Sequence, residues 1–193
     1  MKLINYIKHI ENFCINFKPK KNKILVYDAL SLKFAKNLFS NFSMTVFHTR
    51  YEGVSIYILF KTLLENGFKN FKNNYKKTFF SFVSPKIIFS AIDNNISFFK
   101  LKSLYPIATY ITDQNGMRDN KFYIECRKYL RKKKSNKLIS DYFFCFGQNE
   151  KKRLKKIIWG RIYPYGKTLN NVYKYSKVKK FKLKKIIFIS NLN

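Results

Sequence analysis

The chain has 193 residues, 46% hydrophobic and 19% aromatic, which suits one domain with a sizeable core and excludes an intrinsically disordered segment. Lys and Arg number 40 against 10 Asp and Glu, a formal net charge of +30. Such a charge directs the protein towards anionic membrane surfaces or nucleic acid, with strong salt dependence.

Only 6 of the basic residues are Arg, and Lys, Asn, Ile and Phe are abundant together, a pattern that AT-biased coding also produces. No run reaches the ~18 apolar residues of a spanning helix. Lys8, His9 and Glu11 interrupt the N-terminal apolar pattern, which argues against a signal peptide. The expectation is a cytoplasmic protein, in peripheral contact with the inner face of the cell membrane. Cys14, Cys126 and Cys145 form no CxxC pair and no zinc set with His9 and His48, so they read as buried thiols in a reducing compartment.

In chain order, basic "KPKKNK" leads into "ILVYD", a continuous apolar run of strand length ending in Asp28. Leu32, Ala35, Leu38 and Phe39 follow at helical spacing, and "MTVFHTR" is the second strand. "SIYILFKTLLENG" predicts a helix with Ile56, Leu59, Phe60, Leu63 and Leu64 on its buried face and Gly67 at its C-terminus. A lysine-rich amphipathic helix, Phe71 to Val83, leads to Pro85 and the strand "KIIFSAI". Asp93-Asn94-Asn95 then caps the helix "ISFFKLKSLY", which Pro106 ends. "ATYIT" is the next strand. The helix "KFYIECRKYLRKKK" follows, with Phe122, Cys126, Tyr129 and Leu130 aligned. "DYFFCFG" is a strand, "NEKKRLKKIIW" a helix and "RIYPYG" a short last strand. Strands alternating with helices predict an α/β fold, a Rossmann-like parallel sheet flanked by helices. That domain spans residues 1–172. Residues 173–193 read as a basic linker and the strand "IIFIS", the opening of a second domain.

With only ten carboxylates, their placement is informative. Asp28, Asp93 and Asp113 each follow a strand and so share one carboxyl edge, where open α/β sheets bind ligands. Helix capping and turn formation are the competing use of Asp93 and Asp113. In "YITDQNGMRDN" the Asn-Gly pair signals a hairpin, but a helical pattern follows it, so the segment reads as a strand-to-helix loop. Gly116 then permits a left-handed backbone or close ligand approach. Gln114 and Asn115 offer donors and acceptors to a polyhydroxylated ligand, and Arg118 meets an anionic group. His48, ending the second strand, is placed for a general base or for a structural histidine. Gly147 in "FGQNEKK" sits at a helix start, and Gly166 in "YGKTLNN" lies in a loop. No GxGxxG, Walker, GxSxG or HExxH pattern is present.

"AIDNN", "DQNGMRDN", "DYFFCFG" and "YGKTLNN", in this order, resemble the pattern of surface carbohydrate biosynthesis proteins. Those proteins are similar to glycosyltransferases of the GT-B fold and, more distantly, to wall-polymer glycerophosphotransferases. The resemblance spans roughly Ile24 to Asn193. It implies two Rossmann-like lobes, the first receiving the acceptor and the second a nucleotide-sugar donor. This chain then corresponds to the N-terminal lobe, with the C-terminal lobe largely missing after "KKIIFIS". Acceptor binding falls to Asp93, Asn94, Asn95, Asp113, Gln114, Asn115, Gly116 and Arg118, with Asp28, His48, Gly147 and Gly166 as secondary candidates. No catalytic base is assigned, and no metal or cofactor is implied beyond the nucleotide-sugar donor as a substrate of the complete enzyme. The implied partner is a sugar or lipid-linked saccharide acceptor in surface polysaccharide or lipopolysaccharide synthesis.

Two other readings compete. Lysine clusters and abundant aromatics fit a nucleic-acid-binding module, although arginine is scarce and no DNA or RNA motif is legible, so no specific nucleic acid is expected. The chain also fits a non-catalytic partner of a separate donor-binding lobe.

Overall fold

A computed structural model of the protein describes residues 14–49, 53–132 and 138–168. Within them lie eight strands: β1 (Cys14–Asn16), β2 (Ile24–Tyr27), β3 (Met44–Phe47), β4 (Gly53–Ser55), β5 (Ile87–Ser90), β6 (Thr109–Asp113), β7 (Leu138–Cys145) and β8 (Ile158–Pro164). The helices are α1 (Leu32–Leu38), α2 (Ile56–Asn66), α3 (Phe71–Val83), α4 (Leu101–Leu104), α5 (Asn120–Lys132) and α6 (Gln148–Leu154). Six strands form one parallel sheet in the order β3-β2-β5-β6-β7-β8, while β1 and β4 pair separately. The α/β architecture with a parallel sheet between helices is the one expected, and every strand expected near Ile24, Val46, Ile88, Tyr110 and Phe144 is present.

All four residues of β2 are buried, as a strand covered on both faces requires. Leu25 and Tyr27 enter a large core with Phe80, Ile88, Tyr110 and Phe143. Val26 points the other way, against Ala35 of α1, Phe89 and Ala91. Leu32, Ala35 and Phe39 therefore cover one sheet face, while Phe79, Phe80 and Val83 of α3 cover the other. Phe47 ties β3 to that larger core by stacking on Tyr27 at 5.6 Å and meeting Phe79 edge-on at 5.0 Å. The α5 residues Phe122, Cys126 and Leu130 are buried as the helical spacing predicts, with Asp119 Oδ1 accepting from Phe122 N at 3.0 Å as a cap. Cys126 and Cys145 are buried free thiols, and burial, followed by the charge of Glu125, pushes Cys126 up to about 11.

Three expectations are corrected. In α2 the buried positions are Ile58 and Thr62, whereas Phe60 is 60% and Leu64 87% exposed. Polar residues occupy the inner face because their hydrogen bonds are met locally: Ser55 Oγ accepts from Ile58 N and Thr62 Oγ1 donates to Ile58 O. Hydropathy alone therefore selects the wrong face. The stretch "ISFFKLKSLY" is a 3-10 turn, Phe98–Lys100, running into the one-turn α4. The helix starting at Gln148 stops at Leu154, and Ile158 and Trp159 belong to β8. Ile157 and Ile158 are both buried, so an apolar pair that reads as the end of a helix crosses instead from turn to strand. The linker and the strand "IIFIS" within 173–193 lie outside the described residues. Among the described residues no helix is long and apolar enough to cross a membrane.

The pairing of β7 with β8 shifts register between Ile139 and Tyr142. Gly160 sits opposite this irregularity with φ +142, and a Cβ there would stand 1.7 Å from the Ser140 carbonyl oxygen. No small adjustment relieves a clash with backbone at that distance. Gly160→Ala is expected to lower unfolding stability by roughly 2–4 kcal/mol, in the range of the severe single substitutions. Urea unfolding measures it, and an unchanged midpoint would contradict the described β7–β8 register.

Candidate functional site

The chain leaves β2 for β3 across one sheet face through α1, then returns past β2 to β5 with α3 on the opposite face. The direction of winding thus reverses beside β2. A parallel sheet with such a reversal leaves a crevice outside the carboxyl ends of the strands at that point. Asp28, Asp93 and Asp113 all stand on this edge, as the strand order predicts, and all three are buried.

The three carboxylates do different work. Asp28 has φ 83 and accepts from Leu30 N at 3.0 Å and from the Thr49 hydroxyl at 2.5 Å, binding the loops after β2 and β3 together. Asp93 holds an ion pair with Arg118, whose Nε donates to Oδ2 at 2.6 Å while a second guanidinium nitrogen donates to Oδ1. Asn115 N also donates to Asp93 Oδ1 at 3.3 Å, and the Asn115 side-chain oxygen accepts from Arg118 at 2.9 Å. Burial pushes the Asp93 carboxyl up, against the opposing pull of Arg118. Arg118 thus pairs with an internal carboxylate through Nε and one terminal nitrogen.

Gln114 is buried, and both ends of its amide serve the backbone. Its Nε2 donates to Gly116 O at 2.9 Å and its Oε1 accepts from Phe146 N at 3.0 Å. The expected ligand-facing role of Gln114 is corrected accordingly: it ties the loop after β6 to the end of β7. Gly116 has an ordinary φ, and a Cβ there would meet only the Arg118 guanidinium at 3.7 and 3.8 Å, so no left-handed turn requires glycine. Asn94 is exposed, while Asn95 Oδ1 accepts from Ser97 N at 3.0 Å and Ser97 Oγ at 2.6 Å, closing a side-chain turn ahead of the 3-10 segment, whose own N-terminal cap position is Ser97. Gly147 is extended at the start of α6, and Gly166, at φ 89, donates its N–H to Cys145 O.

Asp113 differs from the others. Its Oδ1 accepts from the Thr168 hydroxyl at 2.7 Å, and its buried Oδ2 has no hydrogen-bond partner among the described residues. Burial pushes this carboxyl up to about 6, opposed by Thr168 and reinforced by the charge of Asp93. Thr168, in the "YGKTLNN" segment read as a plain loop, is the partner that sequence reasoning missed.

An open concavity of about 650 Å³ lies at the reversal point, on the α3 side of the sheet. Tyr27 and Phe47 end the strands beneath it, and His48 and Thr49 follow them. Phe71, Lys72, Tyr75 and Lys76 of α3 form one wall, Asn95 and Ser97 another, and Val54 completes the lining among the described residues. A directional hydrogen-bond chain runs through it. Ser97 Oγ donates to Asn95, so the Tyr27 hydroxyl donates to Ser97 at 3.3 Å and accepts from Lys76 Nζ at 3.3 Å. Of the residues singled out from sequence, only His48 and Asn95 line this space. Tyr27, Lys72, Lys76 and Ser97 were passed over. The legible signal was Lys72 and Lys76 at i,i+4 on a helix whose Phe79, Phe80 and Val83 enter the core.

Two predictions follow from the buried network. A carboxyl raised on folding favours the protonated fold, so its stabilising effect is present below the ordinary carboxyl value of 3.8 and is lost as pH rises through about 6. For Asp113 this amounts to roughly 2–2.5 kcal/mol between pH 4 and 7. Asp113→Asn should remove that portion of the pH dependence in urea unfolding, and a variant with the wild-type pH slope would refute the raised value. Gln114→Ala leaves Phe146 N without its acceptor and should cost about 1–3 kcal/mol. A cost near zero would return Gln114 to the role of a ligand-only donor.

Comparison with protein-family models, with curated proteins and with solved structures yields no match.

Proposed function

We propose that the protein is the acceptor-side lobe of a glycosyltransferase-like system in surface polysaccharide or lipopolysaccharide synthesis, with the sugar acceptor seated in the concavity at the reversal point. The observation that carries this reading is the lining of that space. Phe71 and Tyr75 offer aromatic surface to the C–H faces of a sugar ring, while Asn95 and Ser97 supply amide and hydroxyl groups for its hydroxyls. A volume of about 650 Å³ falls within the range of small-molecule sites. The ordered motifs that resemble surface carbohydrate proteins point to the same substrate class.

In the transfer reaction an acceptor hydroxyl attacks the anomeric carbon of a nucleotide-activated sugar. The nucleoside diphosphate leaves, and the hydroxyl proton passes to a base. His48 places an imidazole on the lining of the pocket and is our choice for that base. Asp113 is absent from the described lining, so its role is confined to the buried edge.

The test is binding of neutral oligosaccharides by ligand-detected NMR. Wild type should bind, and Phe71→Ala should weaken binding roughly threefold to tenfold, the equivalent of losing one aromatic contact. Equal binding by both proteins would sink the proposed pocket. Tighter, salt-sensitive and sequence-selective binding of a single-stranded oligonucleotide would favour a nucleic-acid module instead.

A further inference from the structure

We propose that Lys76, with Lys72 one helical turn away, anchors a phosphate or diphosphate group on the ligand of the reversal-point pocket. The inference rests on the reading of that pocket as the ligand site, and adds the chemical class of what enters it.

Lys76 lies half-buried on α3 and reaches over the carboxyl end of β2. One N–H of its ammonium group is directed to the Tyr27 hydroxyl at 3.3 Å. Tyr27 is itself fixed through Ser97 and Asn95, so the ammonium head is held by a chain of donors and acceptors whose sense is set at every link. Lys76 lines the pocket, and no carboxylate lies within ion-pair distance of it among the described residues. The described carboxylates on this edge are committed elsewhere: Asp28 to Leu30 and Thr49, Asp93 to Arg118, Asp113 to Thr168.

The charges that act on Lys76 are cations. Burial, then Lys72, then Lys100, pulls its ammonium group below the ordinary lysine value. Lys72 and Lys76 line the same pocket one helical turn apart and repel one another, and a bound anion relieves that repulsion. A phosphoryl group, with up to two negative charges and several acceptor oxygens, suits a lysine that acts as a compact point charge. The aromatic and amide walls beside it would then hold the organic part of the same ligand. Two sources supply this chemistry, a soluble sugar phosphate and the headgroup of an anionic or pyrophosphate-linked lipid.

The test titrates inorganic pyrophosphate and glucose 1-phosphate into the described protein at fixed ionic strength by calorimetry, with Lys76→Gln, Lys76→Arg and Lys33→Gln. Lys33 is an exposed residue of α1, on the far face of the sheet. Pyrophosphate should bind wild type and Lys33→Gln alike, bind Lys76→Gln about tenfold or more weakly, and recover most affinity in Lys76→Arg, as loss and restoration of a charged hydrogen bond predicts. Lys76→Gln should also melt no lower than wild type without ligand, because it removes a repulsive charge. That distinguishes an anion anchor from a structural lysine, whose loss lowers the melting temperature. No pyrophosphate binding by wild type, or equal weakening by Lys76→Gln and Lys33→Gln, overturns the proposal. Phosphatidylglycerol vesicles form the second arm. Vesicle binding that depends on Lys76 assigns the phosphate to a lipid headgroup, and binding of glucose 1-phosphate and pyrophosphate without vesicle binding assigns it to a soluble ligand. Neutral oligosaccharide that binds while pyrophosphate does not would leave the carbohydrate pocket standing and remove the anion anchor. Pyrophosphate held by Lys76 with no saccharide binding would do the reverse.

Discussion

Burial of β2 on both faces governs the rest of this structure. Its four residues reach no solvent, so every polar group that β2 can present emerges at its carboxyl end. Tyr27 sends its hydroxyl there and Asp28 follows it. Because the chain winds to β3 on one side and to β5 on the other, the loops that leave this end diverge across opposite faces. The concavity is the space left between them, and α3 closes it with the same helix that buries Phe79, Phe80 and Val83 in the core. Packing and site are therefore built by one element.

The carboxyl edge separates two kinds of polar chemistry. Towards β6 and β7 the groups pair with one another: Asp93 with Arg118, Asp113 with Thr168, and Gln114 with two backbone groups. Such a network fixes loops, and apart from Asp113 Oδ2 its polar groups are largely engaged with one another. Towards β2 and β3 the buried Asp28 ties the two loops together, and the groups that line the open space are lysines and neutral polar or aromatic side chains. The high net charge takes on structural meaning at this second region, where lysines gather at a wall of the pocket without a described carboxylate to neutralise them.

Much of the fold was legible in the sequence. Continuous apolar runs such as "ILVYD" and "KIIFS" identify strands buried on both sides, and helical spacing identifies α3 and α5. Side-chain direction was harder to read. The inner face of α2 holds Ile58 and Thr62, the latter polar but hydrogen-bonded locally to Ile58 O, whereas hydropathy pointed to Phe60 and Leu64. The placement of Asp28, Asp93 and Asp113 on one edge followed from strand polarity. Which of their neighbours would pair inward did not, because the tie from Gln114 to Phe146 and that from Thr168 to Asp113 join positions 32 and 55 residues apart. Polar residues that look available in a loop are often consumed by such long-range bonds, whereas Lys76, which looked like one more solvated lysine, faces the cavity.

The central claim is that ligand binds over the carboxyl ends of β2 and β3. The most direct test is backbone amide chemical-shift mapping with glucose 1-phosphate. The account predicts the largest changes at Thr49, Lys76, Asn95 and Ser97, with the Asp93–Arg118 loop quiet. Changes confined to the lysines of α5 and α6, or to the exposed Trp159 edge of β8, would contradict it.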